Sequence, residues 1–169
     1  MVHVRGNLDV KGSKITERFA HIRDERSLGT NNTDLTSNTW NKRTLNTVVG
    51  NDFAGLSVSN SQITLPAGTY YVEAWAPSYK VRDNRLRLYN VTAGAEILRG
   101  QNVSATSSGG NTVITARLQG IISVSISSVI ELQHISSQSV SNLVDGGGRA
   151  CNITGTNEIY AEIIFTNYA

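Results

Sequence analysis

The sequence predicts an all-β domain: a sandwich, jelly roll or barrel. Three observations lead there. Short segments rich in Val, Ile, Thr and aromatic residues recur along the 169-residue chain, separated by Gly, Asn, Asp and Ser turns. No segment sustains a 3.6-residue apolar period over helical length. Two segments alternate with a period of two yet stay apolar on both faces.

Taken in order, the first fifteen residues stand apart. Val4 and Val10, Gly6 and Gly12, and Asn7 and Ser13 recur six residues apart. That spacing fits either the last turns of a glycine-punctuated β repeat, the end of a fibrous shaft, or a plain arm. Residues 1–17 are read as this arm and 18–169 as one head domain. Met1-Val2-His3-Val4-Arg5-Gly6 opens without the apolar stretch of a signal peptide, and no apolar run approaches membrane-spanning length.

Residues 19–26 alternate as a first strand, and 28–37 carry loop chemistry. Residues 40–49 resume a strand that Gly50-Asn51-Asp52 turns. Segments 56–58 and 62–65 flank Ser59-Asn60-Ser61, and Pro66-Ala67-Gly68 leads into a strand over 70–76. Strands at 85–90, 96–99, 112–119, 121–127, 129–135 and 157–166 complete the set. Residues 140–144 alone read as a helical turn.

The two doubly apolar segments bear on assembly. In 69–76 one face holds Tyr70, Val72, Ala74 and Ala76, and the other Tyr71, Glu73 and Trp75. In 158–165 one face holds Ile159, Ala161, Ile163 and Phe165, and the other Tyr160, Glu162 and Ile164. A surface strand of a monomer alternates apolar with freely solvated residues. A second apolar face around one carboxylate predicts a sheet whose outside packs on copies of the chain.

Composition narrows the function. The net charge of +2 is too small to argue for nucleic acid, and the basic group Lys80, Arg82, Arg85 and Arg87 is diluted by Asp83. Cys151 is the single cysteine, so no intrachain disulfide forms, which suits assembly in a reducing cytoplasm. The triplets at Asn31, Asn90, Asn102 and Asn152 read as chance glycosylation matches in a chain rich in Asn, Ser and Thr. His3, His21 and His134 lack ligand spacing, and no nucleophile motif accompanies the serines, so no catalytic or metal-binding residue is assigned. The Gly146-Gly147-Gly148 run lacks the Lys-Ser or Lys-Thr of a phosphate loop. Glu73, Glu131 and Glu162 are the carboxylates from which a glycoside-cleaving pair would have to come.

Several stretches resemble one family. They are 19–26 (FAHIRDER), Trp40 with Arg43-Thr44-Leu45-Asn46-Thr47, and Ile63-Thr64-Leu65-Pro66-Ala67-Gly68-Thr69-Tyr70-Tyr71-Val72. Arg87-Leu88-Tyr89-Asn90-Val91-Thr92 and the ending 148–162 continue the pattern. Together they resemble the tumour-necrosis-factor-like or complement-globular-head jelly roll, as found at the tips of bacteriophage tail fibres. The resemblance spans about residues 19 to 168. It implies a ten-strand-type jelly roll, a compact homotrimer with the sheet of both termini facing the threefold axis, and a binding or structural head without enzymatic activity. Oxygen-ligated calcium, bound by some heads of the family, stays open; no other cofactor is implied. The Asp145-Gly146-Gly147-Gly148 loop departs from the pattern at the exposed end of the head.

These readings set the expectations. Tyr71, Glu73, Trp75, Tyr160, Glu162 and Ile164 are expected at the trimer interface. There each carboxylate needs a partner from Arg23, His21, Tyr71 or Tyr160. Tyr79, Lys80, Arg82, Asp83, Asn84 and Arg85 are the candidate receptor contacts, a loop mixing an aromatic ring with cations and turn residues. The expected role is adhesion of a virion appendage to a host-surface receptor, a glycan by the chemistry of that loop. The partners are further copies of the chain and the receptor, with no nucleic acid and no membrane insertion. A purely structural trimerisation cap or capsid decoration is the first rival, and a surface-polysaccharide-degrading enzyme the second.

Overall fold

A computed structural model describes residues 17–104, 113–139 and 146–168. The repeats at 4–13 and the proposed helical turn at 140–144 lie outside them. Among the described residues there are twelve strands and no helix: β1 (Glu17–Arg26), β2 (Asn41–Lys42), β3 (Thr47–Asn51), β4 (Ser57–Ser59), β5 (Gln62–Leu65), β6 (Gly68–Tyr79), β7 (Asp83–Asn90), β8 (Ala95–Arg99), β9 (Val103–Ser104), β10 (Val113–Val124), β11 (Ser128–Ser136) and β12 (Glu158–Tyr168). They form two antiparallel sheets. The first runs β10-β6-β12-β1-β3; the second runs β4-β5-β11-β7-β8, with β2 on β11 and β9 on β7.

The core lies between the sheets and follows the alternation. Ile22 of β1, Val72 and Ala74 of β6, and Ile163 and Phe165 of β12 face Leu86 and Leu88 of β7 and Ile130 and Leu132 of β11, all fully or almost fully buried. Phe53, Tyr70 and Phe165 stack edge to face, with centroids 5.3 and 6.1 Å apart. The Tyr70 hydroxyl, which cannot be left unpaired there, donates to the Pro66 carbonyl at 2.9 Å.

Three expected boundaries move, each for a physical reason. Residues 113–124 form one strand instead of two, because Gly120 marks close packing and no turn. A Cβ at Gly120 would come within 2.8 Å of the Leu98 side chain of the opposite sheet. Gly50 likewise stays in a strand, opposite His21, where its missing side chain leaves room for the Phe19 ring. The expected strand 40–49 is split, since β2 pairs with β11 of the second sheet and β3 with β1 of the first. The chain crosses between sheets at Arg43, whose N–H donates to Leu132 O at 2.8 Å while its side chain turns inward.

The glycine run is buried, contrary to the expected exposed loop. Asn32 N–H donates to Gly148 O, Gly147 N–H to Thr33 O and Tyr79 N–H to Gly146 O, each at 3.0 Å. Side chains at Gly146 and Gly147 would collide with Asp34, Thr33 and Arg43, so only glycine fits. The Arg43 Nη2 donates to Gly147 O at 2.7 Å, whereas its Nε and Nη1 have no partner among the described residues. Burial draws this guanidinium down to about 10.

Candidate functional site

Two regions carry the expected functional residues. The first is the outer face of the first sheet. Glu162 of β12 pairs across from Trp75 of β6 and Arg23 of β1. Its carboxylate accepts from Trp75 Nε1 at 2.7 Å and contacts His21 Nε2 at 3.1 Å. His21 is thus the partner expected for Glu162, and the indole is one the sequence did not suggest. Arg23 instead forks onto Glu25, at 2.7 and 3.0 Å. Glu73 is exposed, and the pairing expected for it is absent among the described residues.

Beside this network the face carries large apolar residues, alongside exposed Glu73, Arg117 and Gln119 of β6 and β10. Tyr71 is 39% exposed, Phe19 47% and Ile121 71%, with Ile164 partly covered. Thr69, Tyr71, Ile121, Thr166 and Asn167 border a shallow hollow of about 480 Å³. Five of the six expected interface residues share this face. Tyr160 does not. The β1–β12 register shifts between Arg23 and Glu25, which exchanges the faces of the residues opposite. Ile159 therefore turns out to solvent and Tyr160 into the protein, 4% exposed, where its hydroxyl donates to Thr30 O at 2.7 Å. Burial, with Glu158 nearby, pushes its phenol up to about 12.

The second region is the β6–β7 connection. It is shorter than expected: β6 runs through Tyr79, and Lys80 and Arg82 take positive φ of 55° and 60° to turn the chain around buried Val81. Tyr79 is not presented to a ligand. It is 1% exposed, its hydroxyl accepts from Arg149 Nη1 at 3.0 Å, and Lys80 Nζ lies 5.0 Å above the ring. The hydrogen bond from Lys80, joined by Arg149, lowers the phenol's pKa. Asn84 is also internal, its Oδ1 2.9 Å from His134 Nε2 and its Nδ2 donating to Arg82 O. The basic group does not gather into a patch. Arg87 is held on the second sheet between the rings of Trp40 and Tyr89, 4.1 and 4.7 Å from their centroids, and bonded to Gln133.

Asp83 and Arg85, by contrast, do reach a surface site. They line an open hollow of about 360 Å³ with Asn38, Asn102, Ser104 and Ser136, floored in part by Val103 and Ile135. Four separate stretches of chain build it, and in sequence each reads only as loop or strand end. The signal that could have found it is register, since Ser104 pairs with Asp83, and Ser136 with Asn84.

Catalytic chemistry finds less support. Glu131 sits on the second sheet, accepting from Gln62 and Gln133 at 2.8 and 2.6 Å, while Glu73 and Glu162 lie on the first. The three candidate carboxylates therefore share no cleft. Among the described residues no three His, Cys, Asp or Glu side chains gather as a metal cage.

No family model matches the chain, and no curated protein does. Solved structures do. The chain is similar to murine APRIL in crystal structures at pH 8.0 (TM-score 0.54, 10% identity), pH 5.0 (0.56, 9%) and pH 8.5 (0.54, 11%). Each match covers 90% of this chain and 99% of the other. At such identity the likeness is one of fold. The architecture is a tumour-necrosis-factor-like jelly roll.

Proposed function

We propose that this chain is the non-catalytic head of a bacteriophage tail fibre or related virion appendage, assembled as a homotrimer and binding a host-surface receptor. The observation that carries the reading is the outer face of the first sheet. Exposed Phe19, Tyr71 and Ile121 surround a carboxylate bound to His21 and Trp75. Large apolar residues exposed together on one sheet face mark a protein contact, and a threefold assembly would cover them. The virion setting rests on the sequence resemblance. The TNF-like fold supports it as a compact scaffold with loops at its ends.

Adhesion then works by multivalency. Three identical weak sites held at fixed spacing raise avidity without new contacts. The test is saturable binding of the fluorescently labelled protein to a panel of bacterial strains, before and after periodate oxidation of surface glycans. The proposal expects binding to a subset of strains and its loss on oxidation. Absence of binding to every strain would favour the structural-cap reading, and release of reducing ends from surface polysaccharide the enzymatic one.

A further inference from the structure

The hollow between β7, β9 and the end of β11 has features that the adhesive reading alone does not require. Its frame is rigid because its backbone is already bonded. Asn38 N–H donates to Ser136 O at 2.7 Å, Ser137 N–H to Asp83 O at 2.8 Å, and Asp83 N–H to Ser137 Oγ at 3.1 Å. The buried Asn84–His134 pair fixes β7 against β11 from behind. The side chains around the hollow are, by contrast, unspent. The Asp83 carboxylate, the Arg85 guanidinium, the Asn38 and Asn102 amides and the Ser104 hydroxyl make no hydrogen bond among the described residues.

The lining also selects among ligands. One carboxylate and one guanidinium cancel, so no net field favours an anion or a cation. Acceptor and donors stand side by side, which suits a ligand whose groups both donate and accept, as hydroxyls do. Val103 and Ile135 offer apolar surface to C–H groups. The volume, about 360 Å³, lies at the lower end of small-molecule sites.

We propose that this hollow is a subsite for one neutral sugar residue of a host-surface glycan, with Asp83, Arg85, Asn102 and Ser104 recognising its hydroxyls. The assignment rests on the receptor-binding reading above. It replaces the loop tip with a pocket and narrows the glycan to a neutral sugar. Each site is weak alone, and three in a trimer supply the avidity.

The experiment is saturation-transfer-difference NMR on the full chain. The probes are the methyl glycosides of glucose, galactose, mannose and N-acetylglucosamine, with N-acetylneuraminic acid as the anionic comparison, each at up to about 20 mM. At least one neutral glycoside is expected to bind saturably. Its affinity should fall about tenfold or more in Asp83→Asn and in Asn102→Ala. Neither side chain bonds to another described residue, so both variants should keep the wild-type melting curve. The proposal is overturned if no neutral glycoside binds, if N-acetylneuraminic acid alone binds, or if both variants bind like the wild type. Adhesion to bacteria by the same variants separates the two readings. Undiminished adhesion removes the pocket and leaves receptor binding standing, whereas wild type that adheres to no strain removes receptor binding itself.

Discussion

Replacing Glu162 probes the assembly face at its hydrogen-bonded carboxylate. Within the protomer its carboxylate accepts a bond from the Trp75 indole at 2.7 Å and meets His21 at 3.1 Å, with a side chain only 17% exposed. A hydrogen bond to a charged acceptor contributes roughly 1.5–3 kcal/mol when buried and about 0–1 kcal/mol as a surface pair. The indole bond belongs near the lower end of the first range and the His21 contact, 22% exposed, in the second. Glu162→Ala should therefore destabilise the chain by about 2 kcal/mol. Glu162→Gln keeps an acceptor for the indole and should cost about 1 kcal/mol or less. Urea unfolding gives both numbers, through a lower midpoint at unchanged slope. Indole emission should shift to the red in the alanine variant as Trp75 gains water. Equal midpoints for all three proteins would refute the reasoning, since they would mean that solvent already satisfies Trp75 and His21.

Other consequences are independent of that network. Gly100→Ala should cost about 3 kcal/mol, because a Cβ there strikes the backbone carbonyl of Arg117; Gly120→Ala should cost about 1 kcal/mol, because it meets only a Leu98 methyl that can swing away. Thermal melts of the two variants check the order. His134 is buried and held neutral, its pKa driven well below 6.5 by desolvation and then by the charge of Arg43. On acidification the unfolded chain takes up a proton that the fold refuses. Stability should therefore fall as pH drops below about 6.5, by at most about 1.4 kcal/mol per pH unit, and His134→Gln should flatten that slope. Glu158 behaves at lower pH. Backbone N–H bonds from Cys151, Gly29 and Asn152 lower its pKa below 4.5, so its contribution is complete above that value and is lost as pH falls through the folded pKa. Glu158→Gln should leave the curve above pH 4.5 parallel to wild type and reduce the acid loss below it.

The alternation of apolar residues carried most of the fold. β1, β5, β7, β8, β11 and β12 lie where period-two segments predicted them, and Asn60 and Ser61 make the predicted turn at positive φ of 51° and 60°. What failed depends on contacts distant in sequence. Gly50 and Gly120 read as punctuation because a glycine that admits Phe19 or Leu98 looks, locally, like one that turns the chain. The bulge that turns Tyr160 inward belongs to a strand pair more than a hundred residues apart in sequence. Tyr79 seemed a loop aromatic because its cover, Arg149 and the glycine run, comes from the other end of the chain. The outer face of β6 was legible for the opposite reason, since Tyr71, Glu73 and Trp75 sit two residues apart on one strand.

The most direct test of the account is the mass of the protein in solution, measured by light scattering or sedimentation at micromolar concentration. A trimer joined through the outer face of the first sheet predicts a single species of three times the 18.3 kDa chain mass. Ile121→Lys, at a position 71% exposed in the isolated chain, should then lower the mass to that of one chain without unfolding it. A folded wild-type protein of 18.3 kDa would contradict the account, because the apolar face would then stand uncovered in water.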